Sequence, residues 1–379
     1  MAKIHIQGWR FINHSYALVN QHQILALLRR GDIDISFEEL PLFDPNWRQS
    51  KTGFDDVSLQ QLDELSNDKV NADVVIRYWF PYDFTPAGDQ PTFVFGTSEF
   101  SALSSDQIKD GQNIMDALAG NDTQILTPST WSKQGFVNSG VDDSRIHIVP
   151  HGIDTNIFYP DPNIDRQGIR ERLGAGDNNF LFLNIGAMTT NKGIEQLLAA
   201  FTRHRQSNPN ALLILKGQDN LYGSGGKLNK RLSAVAEAQG VALEEILGGL
   251  RYIGDDFAPE KMADLYRVAD AYVSPYLSEG FNLPVLEAIA SGLPIICTAG
   301  GPTEDFCSDQ FCLKIDSELA DYSQGRQFLS PNINHLISLM ERVQGDDAFR
   351  QQAASAGPAR AQEKFTWDAV VERLISVIL

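Results

Sequence analysis

Two glutamates, Glu279 and Glu287, have the clearest capacity for chemistry in this sequence. The apolar run Ala271–Val273, which precedes them, is typical of a buried parallel strand. Pro284 lies between the glutamates and suits the start of a helix, where a missing N–H costs nothing, so Glu287 is expected in the first turn. A strand, a loop and a helix in this order place both carboxylates at the carboxyl edge of a sheet, where open α/β folds bind ligands.

The backbone between the two glutamates suits an anion. N–H groups of Phe281, Asn282 and Leu283 can converge at the helix N-terminus, which attracts negative charge. Carboxylates that touched a phosphate would repel it, but carboxylates on either side of it can accept hydrogen bonds from hydroxyls. A phosphate flanked by two polyols is a nucleotide-sugar, and the sequence predicts this ligand. A capped core helix with two solvated glutamates is the simpler reading of an isolated Glu pair, but the surrounding EGFNLP and GGPTE segments favour the ligand.

A lysine in a second loop is the main candidate for neutralising the phosphate. Residues 186–193 read GAMTTNKG between a predicted strand and a predicted helix, which places Lys192 at the helix start. There it can meet a phosphate as a point charge. The alternative is an ordinary surface lysine. Lys216, at the end of the next predicted strand, is a further candidate cation, ahead of Lys227.

These motifs resemble those of family 4 retaining glycosyltransferases, which have the GT-B fold and an E-x7-E signature. The resemblance covers nearly the whole chain and includes the Pro150–Asp154 segment. It implies that Glu287 holds the ribose hydroxyls, that Glu279 holds the donor sugar, and that the nucleotide-sugar is a co-substrate with no metal or other cofactor. Ala187 departs from the family pattern, in which an arginine grips the diphosphate together with the lysine. Another cation must compensate, or diphosphate affinity must fall.

The predicted donor-binding residues extend beyond this loop. By the resemblance, the backbone at Gly280–Leu283 faces the diphosphate and sugar, and the strand end at Tyr252 and Ile253 brackets the base. Gly8 is included because glycine at a strand end allows close backbone approach, although it lies in the half expected to bind the acceptor. The full donor set is Glu287, Gly280, Phe281, Asn282, Leu283, Lys216, Gly186, Tyr252, Ile253 and Gly8.

The predicted acceptor side lies in the first half of the chain. Arg77, Tyr78 and Trp79 end a predicted strand, and aromatic faces stack on sugar C–H surfaces; ordinary core aromatics are an equal alternative. Many family members carry a histidine where this sequence has Glu99, so Glu99 is expected to face the sugar, with His14 as the alternative. The predicted catalytic residues are therefore Glu279, Lys192, Glu99 and His14.

The metal-ligating side chains do not form a recognisable motif. Asp32 and Asp34 fall at a predicted strand entrance and are interpreted as surface charges. The three cysteines, Cys297, Cys307 and Cys312, have no metal-ligand spacing and are expected to be reduced packing residues, without a Cys307–Cys312 bridge. The sequence thus predicts no metal site.

Alternating strand and helix patterns predict the fold. The 379 residues suit two domains. We expect an α/β protein of the GT-B type, with two doubly wound, parallel-sheet Rossmann-like domains facing a central cleft. Residues 1–158 would bind the acceptor and residues 159–365 the nucleotide-sugar, with a last helix at 366–379 packing back on the first domain. A helix is also expected at 106–118, and a flexible loop at 223–227.

Composition limits the partners. A net charge of −18 argues against binding to nucleic acid and weakens any case for a polybasic membrane face, although peripheral membrane contact is not excluded. The sequence shows no signal peptide and no apolar run long enough to span a membrane, so a cytoplasmic location is expected.

The sequence predicts a retaining, metal-independent glycosyltransferase. It would move a hexose, with glucose favoured, from a nucleotide-sugar, with UDP favoured, to a hydroxyl of a sugar or small-molecule acceptor, for instance in polysaccharide or glycolipid assembly. Other GT-B activities, such as a nucleotide-sugar epimerase, hydrolase or phosphorylase, are one alternative. A nucleotide-sugar-binding protein with a degenerate site is another, prompted by Ala187.

Overall fold

The computed structural model of the protein describes residues 1–51, 53–67 and 72–379, and these form two compact units. Unit 1 comprises Met1–Gly152, Asp321–Gln327 and Lys364–Leu379, and unit 2 comprises Ile153–Ala320 and Phe328–Glu363. The chain passes from unit 1 to unit 2 after Gly152, whereas the sequence placed the boundary after residue 158.

Unit 1 is built on a six-stranded parallel sheet with the order β2-β1-β3-β4-β5-β6. Strands such as β3, in which every residue is buried, have the continuous apolar character of a sheet covered on both faces. The strands are β1 Ala2–Gly8, β2 Ile33–Glu39, β3 Val74–Tyr78, β4 Thr92–Phe95, β5 Gln124–Thr127 and β6 Ile146–Ile148; the helices are α1 Ser15–Arg30, α2 Asp56–Asp63, α3 Ile114–Ala117 and α4 Thr130–Asn138.

Unit 2 repeats the same plan with the order β12-β11-β10-β7-β8-β9, and its strand pairs are also parallel. Its strands are β7 Phe180–Ile185, β8 Ala211–Lys216, β9 Leu250–Ile253, β10 Ala271–Ser274, β11 Ile295–Thr298 and β12 Cys312–Ile315. Its helices are α5 Arg166–Arg172, α6 Ile194–Ser207, α7 Asp219–Tyr222, α8 Ser224–Gln239, α9 Leu243–Leu247, α10 Pro259–Val268, α11 Leu283–Ala290, α12 Ile333–Gly345 and α13 Asp347–Lys364.

The C-terminal helix α14, Trp367–Ile378, belongs to unit 1. The Thr366 hydroxyl caps it by accepting a hydrogen bond from the Ala369 N–H at 3.2 Å. Trp367 stacks on His22 of α1 with ring centroids 5.0 Å apart, and Asp368 forms an exposed ion pair with Arg29 at 2.6 Å. Because surface ion pairs contribute little, the buried face of α14 supplies most of this attachment.

Three local expectations were wrong or incomplete. Residues 106–118 form two short 3₁₀ turns and the brief helix α3, because Asp110 and Gly111 both adopt positive φ and interrupt a continuous helix. Residues 224–227 are not a flexible loop, since α8 begins at Ser224 directly after Gly223 at φ 57°. The sequence also did not foresee α13 or a two-stranded sheet formed by β13 Ser317–Asp321 and β14 Gln327–Pro331.

No helix in the described part of the chain combines the length and the apolar character needed to cross a membrane.

Candidate functional site

The predicted donor residues other than Gly8 lie in unit 2, at or near the carboxyl edge of its sheet. Strands β7, β8, β9 and β10 run parallel and end at Ile185, Lys216, Ile253 and Ser274. The loop after β7 carries Lys192, and the loop after β10 carries Glu279 and residues 280–282. The topology therefore brings side chains from distant parts of the sequence to one edge.

Lys192 and Glu279 are in direct contact. The Lys192 ammonium Nζ lies 2.5 Å from Glu279 Oε1. The Glu279 side chain is 7 % exposed and the Lys192 side chain 26 %, so the pair is only partly open to solvent. Gly186 lies beside the lysine stem, since a Cβ built there would be 3.8 Å from Lys192 Cδ. Two of the predicted catalytic residues thus form one charged pair.

The loop that carries Lys192 is held against the loop that carries Glu279. The N–H groups of Leu277 and Ser278 donate to the Asn191 carbonyl at 2.7 and 3.2 Å. Gly193 has φ 66°, and a Cβ there would lie 1.8 Å from the Pro275 carbonyl oxygen. Any other residue at 193 would push the loops apart, so glycine is required for the contact between Lys192 and Glu279.

Glu287 lies one turn deeper in α11 than expected. The helix begins at Leu283, with Pro284 in its first turn, so Glu287 is in the second turn and the prediction of the first was wrong. Its carboxylate Oε2 accepts a hydrogen bond of 2.5 Å from the Tyr266 hydroxyl. Burial raises the pKa of Glu287 to about 7, against which the Tyr266 hydrogen bond acts. The fold therefore keeps a carboxyl group here at an energetic cost.

The electrostatics place the two glutamates in one neighbourhood. The Tyr272 hydroxyl donates to the Ile185 carbonyl at 3.1 Å, at the end of β7. Burial is the main cause that raises the pKa of the Tyr272 phenol, and the charges of Glu287 and Glu279 both raise it further. Both carboxylates are thus close enough to act on one buried phenol.

The residues before α11 form a constrained turn. Asn282 has φ 79°, which is uncommon for a residue other than glycine, and its Nδ2 donates to Ser274 Oγ at 3.0 Å. Phe281 is buried and stacks on Phe306 with ring centroids 4.8 Å apart. These contacts fix the backbone of Gly280–Leu283 at the start of the helix, as an anion site requires.

The candidate cations differ in what they contact. Lys216 is buried, its Nζ donates to the Gly217 carbonyl, and burial lowers its pKa.

The sequence analysis missed Arg231 of α8, whose Nε donates to the Met188 carbonyl at 3.0 Å. The Arg231 guanidinium also reaches Thr190 Oγ1 at 3.0 Å and pairs with Glu195 at 2.7 Å. An arginine therefore reaches the loop of Ala187, but from a helix about forty residues away in sequence, which no local motif reveals.

The end of β9 supplies a partly exposed aromatic ring. The Tyr252 hydroxyl donates to Asp219 Oδ1 at 2.7 Å, and Asp219 also accepts from the Gly225 N–H at 2.6 Å. Tyr252 and Ile253 are both half-buried. The backbone at this strand end is tied to the loop after β8, since the Ile253 carbonyl accepts from the Gly217 N–H at 2.8 Å.

Gly8 and His14 lie in unit 1. A Cβ at Gly8 would be 2.7 Å from the Tyr78 carbonyl oxygen, so packing within the sheet explains why this position is a glycine.

The His14 side chain caps α1 by accepting from the Tyr16 N–H at 3.2 Å, and it packs against Trp9 and Trp47. Burial lowers the pKa of His14 to about 4, so the imidazole is neutral at neutral pH.

The aromatic run after β3 is mostly core. Arg77 is buried, donates to Gln7 Oε1 at 3.0 Å and lies 3.7 Å from Asp83. Tyr78 is 1 % exposed and donates to Gln23. Trp79 and Glu99 are half-buried; Trp79 donates to the Pro41 carbonyl at 2.8 Å, and the Glu99 carbonyl accepts from Trp131 at 2.9 Å.

The cysteines are not scattered packing residues. The three Sγ atoms of Cys297, Cys307 and Cys312 lie within 4.8 Å of one another, although their sequence spacing follows no metal motif. The pairing of β11 with β12 brings Cys297 and Cys312 together, and the loop between the strands returns Cys307 to them. Among the described residues this is the one cluster of three potential metal ligands.

Comparison with known proteins identifies the second half of the chain. Residues 165–356, just over half of the 379, match the family described as "Glycosyl transferases group 1". A curated relative, mannosylfructose-phosphate synthase of Agrobacterium fabrum, is 28 % identical over 241 residues. The aligned part covers 63 % of this chain but only 48 % of that protein, so the chain spans about half the length of this relative.

Solved structures show the fold of the whole chain. Sucrose-phosphate synthase from Thermosynechococcus elongatus superimposes with a TM-score of 0.70 at 17 % identity, covering 100 % of this chain and 98 % of that one. Anabaena Alr3699/HepE, solved in complex with UDP-glucose, gives a TM-score of 0.70 at 14 % identity, with 100 % and 99 % coverage. These likenesses confirm the predicted fold class, two Rossmann-like domains of the GT-B type.

Proposed function

Because the chain belongs to the group 1 glycosyl transferases, we propose that it transfers a hexose from a nucleotide-sugar to an acceptor hydroxyl. The observation that carries the proposal is the pair of Lys192 and Glu279, held 2.5 Å apart at the carboxyl edge of the unit 2 sheet. A UDP-sugar is favoured as donor, and glucose as the sugar; the UDP-glucose complex of the Anabaena protein supports this choice.

The donor would lie across the start of α11. Its diphosphate would face the backbone of Gly280–Leu283, where the helix dipole favours negative charge. Glu287 would accept hydrogen bonds from the ribose hydroxyls, and Glu279 would accept them from the sugar. This assignment explains why a buried carboxyl is kept at position 287 despite its cost.

Lys192 would exchange partners when the donor binds. Its ammonium is paired with Glu279 in the structure, and a diphosphate would offer it a more highly charged acceptor. Glu279 would then be freed to bind sugar hydroxyls. The lysine would stabilise the negative charge that develops on the departing diphosphate, while Arg231 would hold the loop that presents it.

We further propose retention at the anomeric carbon without a metal ion, on the strength of the E-x7-E resemblance. The bond between the anomeric carbon and the diphosphate oxygen breaks, and the acceptor oxygen attacks on the same face. The acceptor proton passes to the departing phosphate oxygen, so charge and protons balance. Glu99, His14 and Trp79 would serve the acceptor side, where the neutral imidazole of His14 could accept a hydrogen bond.

The experiment is a donor and acceptor screen with the full chain. Release of UDP and formation of glycosylated product from UDP-glucose are measured by mass spectrometry, and the anomeric configuration of the product by NMR. Lys192→Ala should lower turnover by roughly 10²–10³, the scale of losing one charge-stabilising donor. Lys230→Ala is the matched control, because Lys230 is an exposed lysine of α8 outside this edge.

Four results would overturn parts of the proposal. An inverted product would remove retention, and unchanged kinetics of Lys192→Ala would remove the lysine from the site. Release of UDP without an acceptor product would favour a hydrolase or epimerase. Nucleotide-sugar affinity without turnover would favour a binding protein, the alternative prompted by Ala187.

A further inference from the structure

The strongest feature outside the donor site is the cluster of three thiols in unit 2. Cys297 lies in β11, Cys312 is the first residue of β12, and Cys307 lies in the loop between them. The Sγ atoms of Cys297 and Cys312 are 3.4 Å apart, and all three sulfurs lie within 4.8 Å of one another. These are the only three cysteines in the sequence, so every thiol of the protein lies in this cluster.

A disulfide does not fit the strand pair. The parallel register places Ile295 opposite Cys312 and Cys297 opposite Lys314, so the two cysteines are diagonal neighbours two residues out of register. Standard strand spacing then puts their Cα atoms about 8 Å apart. A disulfide needs Cα atoms closer than about 7 Å, so bonding this pair would require the strands to shift.

The same spacing suits a metal ion. A thiolate sulfur binds Zn²⁺ at about 2.3 Å, so three sulfurs arranged around one ion lie about 4 Å from one another. The separations here, from 3.4 Å up to the limit of 4.8 Å, span that value. The ligand atoms therefore need only small side-chain adjustments to surround an ion.

The surroundings define the class of ion. Within residues 1–51, 53–67 and 72–379, no histidine or carboxylate joins the three sulfurs in the cluster. Cys297 Sγ is 3.4 Å from Thr303 Oγ1, a neutral hydroxyl. Thiolate ligands select soft ions, and hard ions such as Mg²⁺ prefer oxygen. Cys297 and Cys312 are buried, and Cys307 is half-buried.

We propose that Cys297, Cys307 and Cys312 together bind one thiophilic metal ion of the class of Zn²⁺ or Cu⁺. Binding would tie β11, β12 and their connecting loop at a single point. Through Thr303, whose hydroxyl also lies 2.8 Å from the Tyr276 hydroxyl, the ion would stiffen the Gly300–Glu304 segment that follows β11. Metal binding by the three thiols does not require the proposed transferase activity.

The test uses the full chain, purified under reducing conditions and freed of metal with a chelator. Titration with Cd²⁺ alone, followed by thiolate-to-metal charge-transfer absorption, should saturate at one equivalent. At free Cd²⁺ about a hundred times Kd, the bound ion adds roughly 2.7 kcal/mol of stability, so the melting temperature should rise by several degrees. Competition between chelators and Zn²⁺ or Cu⁺ then identifies the preferred ion.

Substitutions make the test specific. Cys307→Ser removes the ligand whose loss disturbs the core least, and Cd²⁺ affinity should fall by roughly a hundredfold. Ser308→Ala, next to it in the same loop, is the matched control and should bind as the wild type does. If Cys307→Ser melts early, protection of all three thiols from alkylation by Cd²⁺ in the wild type serves instead. Absence of stoichiometric uptake, unchanged affinity in Cys307→Ser, or a disulfide found by mass spectrometry would overturn the proposal.

Discussion

Replacement of Glu287 by glutamine separates stability from function at the donor site. The pKa of Glu287 is about 7 in the folded chain, against 4.5 for the free group. The folded chain therefore binds more protons than the unfolded chain between these values, and stability falls as pH rises through this window. Above pH 7 the full cost applies, about 3 kcal/mol, which is an upper limit because the side chain keeps some solvent exposure.

Glutamine has nearly the same shape and carries no charge. Glu287→Gln should stabilise the chain by up to about 3 kcal/mol at pH 8.5 and by about 1 kcal/mol at pH 5.5. For a unit of this size the gain in melting temperature should be about 4–8 °C larger at pH 8.5 than at pH 5.5. Because both proteins are compared at each pH, the titration of other groups cancels.

The same substitution should weaken binding of the donor. A hydrogen bond to a charged group contributes about 1.5–3 kcal/mol, so UDP-glucose affinity measured by calorimetry should fall roughly 10–100-fold. Tyr266→Phe is the opposite control: it leaves the carboxylate without the 2.5 Å hydrogen bond and should destabilise the chain more at pH 8.5 than at pH 5.5. If Glu287→Gln is instead destabilised at pH 8.5, or if only the acceptor KM changes, Glu287 is a structural residue and our reasoning is refuted.

Two further predictions concern the loop of Lys192. Gly193→Ala places a Cβ against the Pro275 carbonyl and displaces Lys192, so kcat/KM should fall by roughly 10² or more. Gly226→Ala is the control, because a Cβ there meets open space within α8; kcat/KM should be unchanged and the chain neutral or stabilised by about 0.5 kcal/mol. Equal kcat/KM in the two variants would show that the contact between the loops is irrelevant to activity. Arg231→Ala should raise the donor KM roughly tenfold without changing the acceptor KM, and a kcat effect alone would argue against positioning through the Met188 carbonyl.

Most of the fold was predictable because the signals are local. Alternating strand and helix patterns predicted two parallel sheets, and the apolar run Ala271–Val273 lies within β10, Ala271–Ser274. The errors arose where a local pattern competes with backbone geometry, as at Asp110 and Gly111, whose positive φ divides a helical pattern. The β13–β14 pair was missed because its sequences, SELAD and QFLSP, lack the regular alternation of apolar and polar residues that indicates a strand.

The site was predictable only where its residues form short-range motifs. Glu279 and Glu287 could be proposed from the sequence because they lie eight residues apart, in one loop and the helix that follows it. Arg231 and the three-thiol cluster could not, because each arises from contacts between elements that the sequence does not relate. The shift in the pKa of Glu287 also required burial and the neighbouring Tyr266 to be known.

The charges at this edge bear on the nucleotide-sugar that we propose as its ligand. Lys192 pairs with Glu279, and the raised pKa of Glu287 lets that carboxyl hold its proton up to about neutral pH. The edge therefore carries less negative charge than its two glutamates imply. A diphosphate that captures Lys192 would leave Glu279 negative, and hydroxyls of the sugar would then have to stabilise that charge. A nucleoside diphosphate without its sugar should consequently bind less tightly than the nucleotide-sugar, although it carries more negative charge, because only the sugar gives Glu279 a partner.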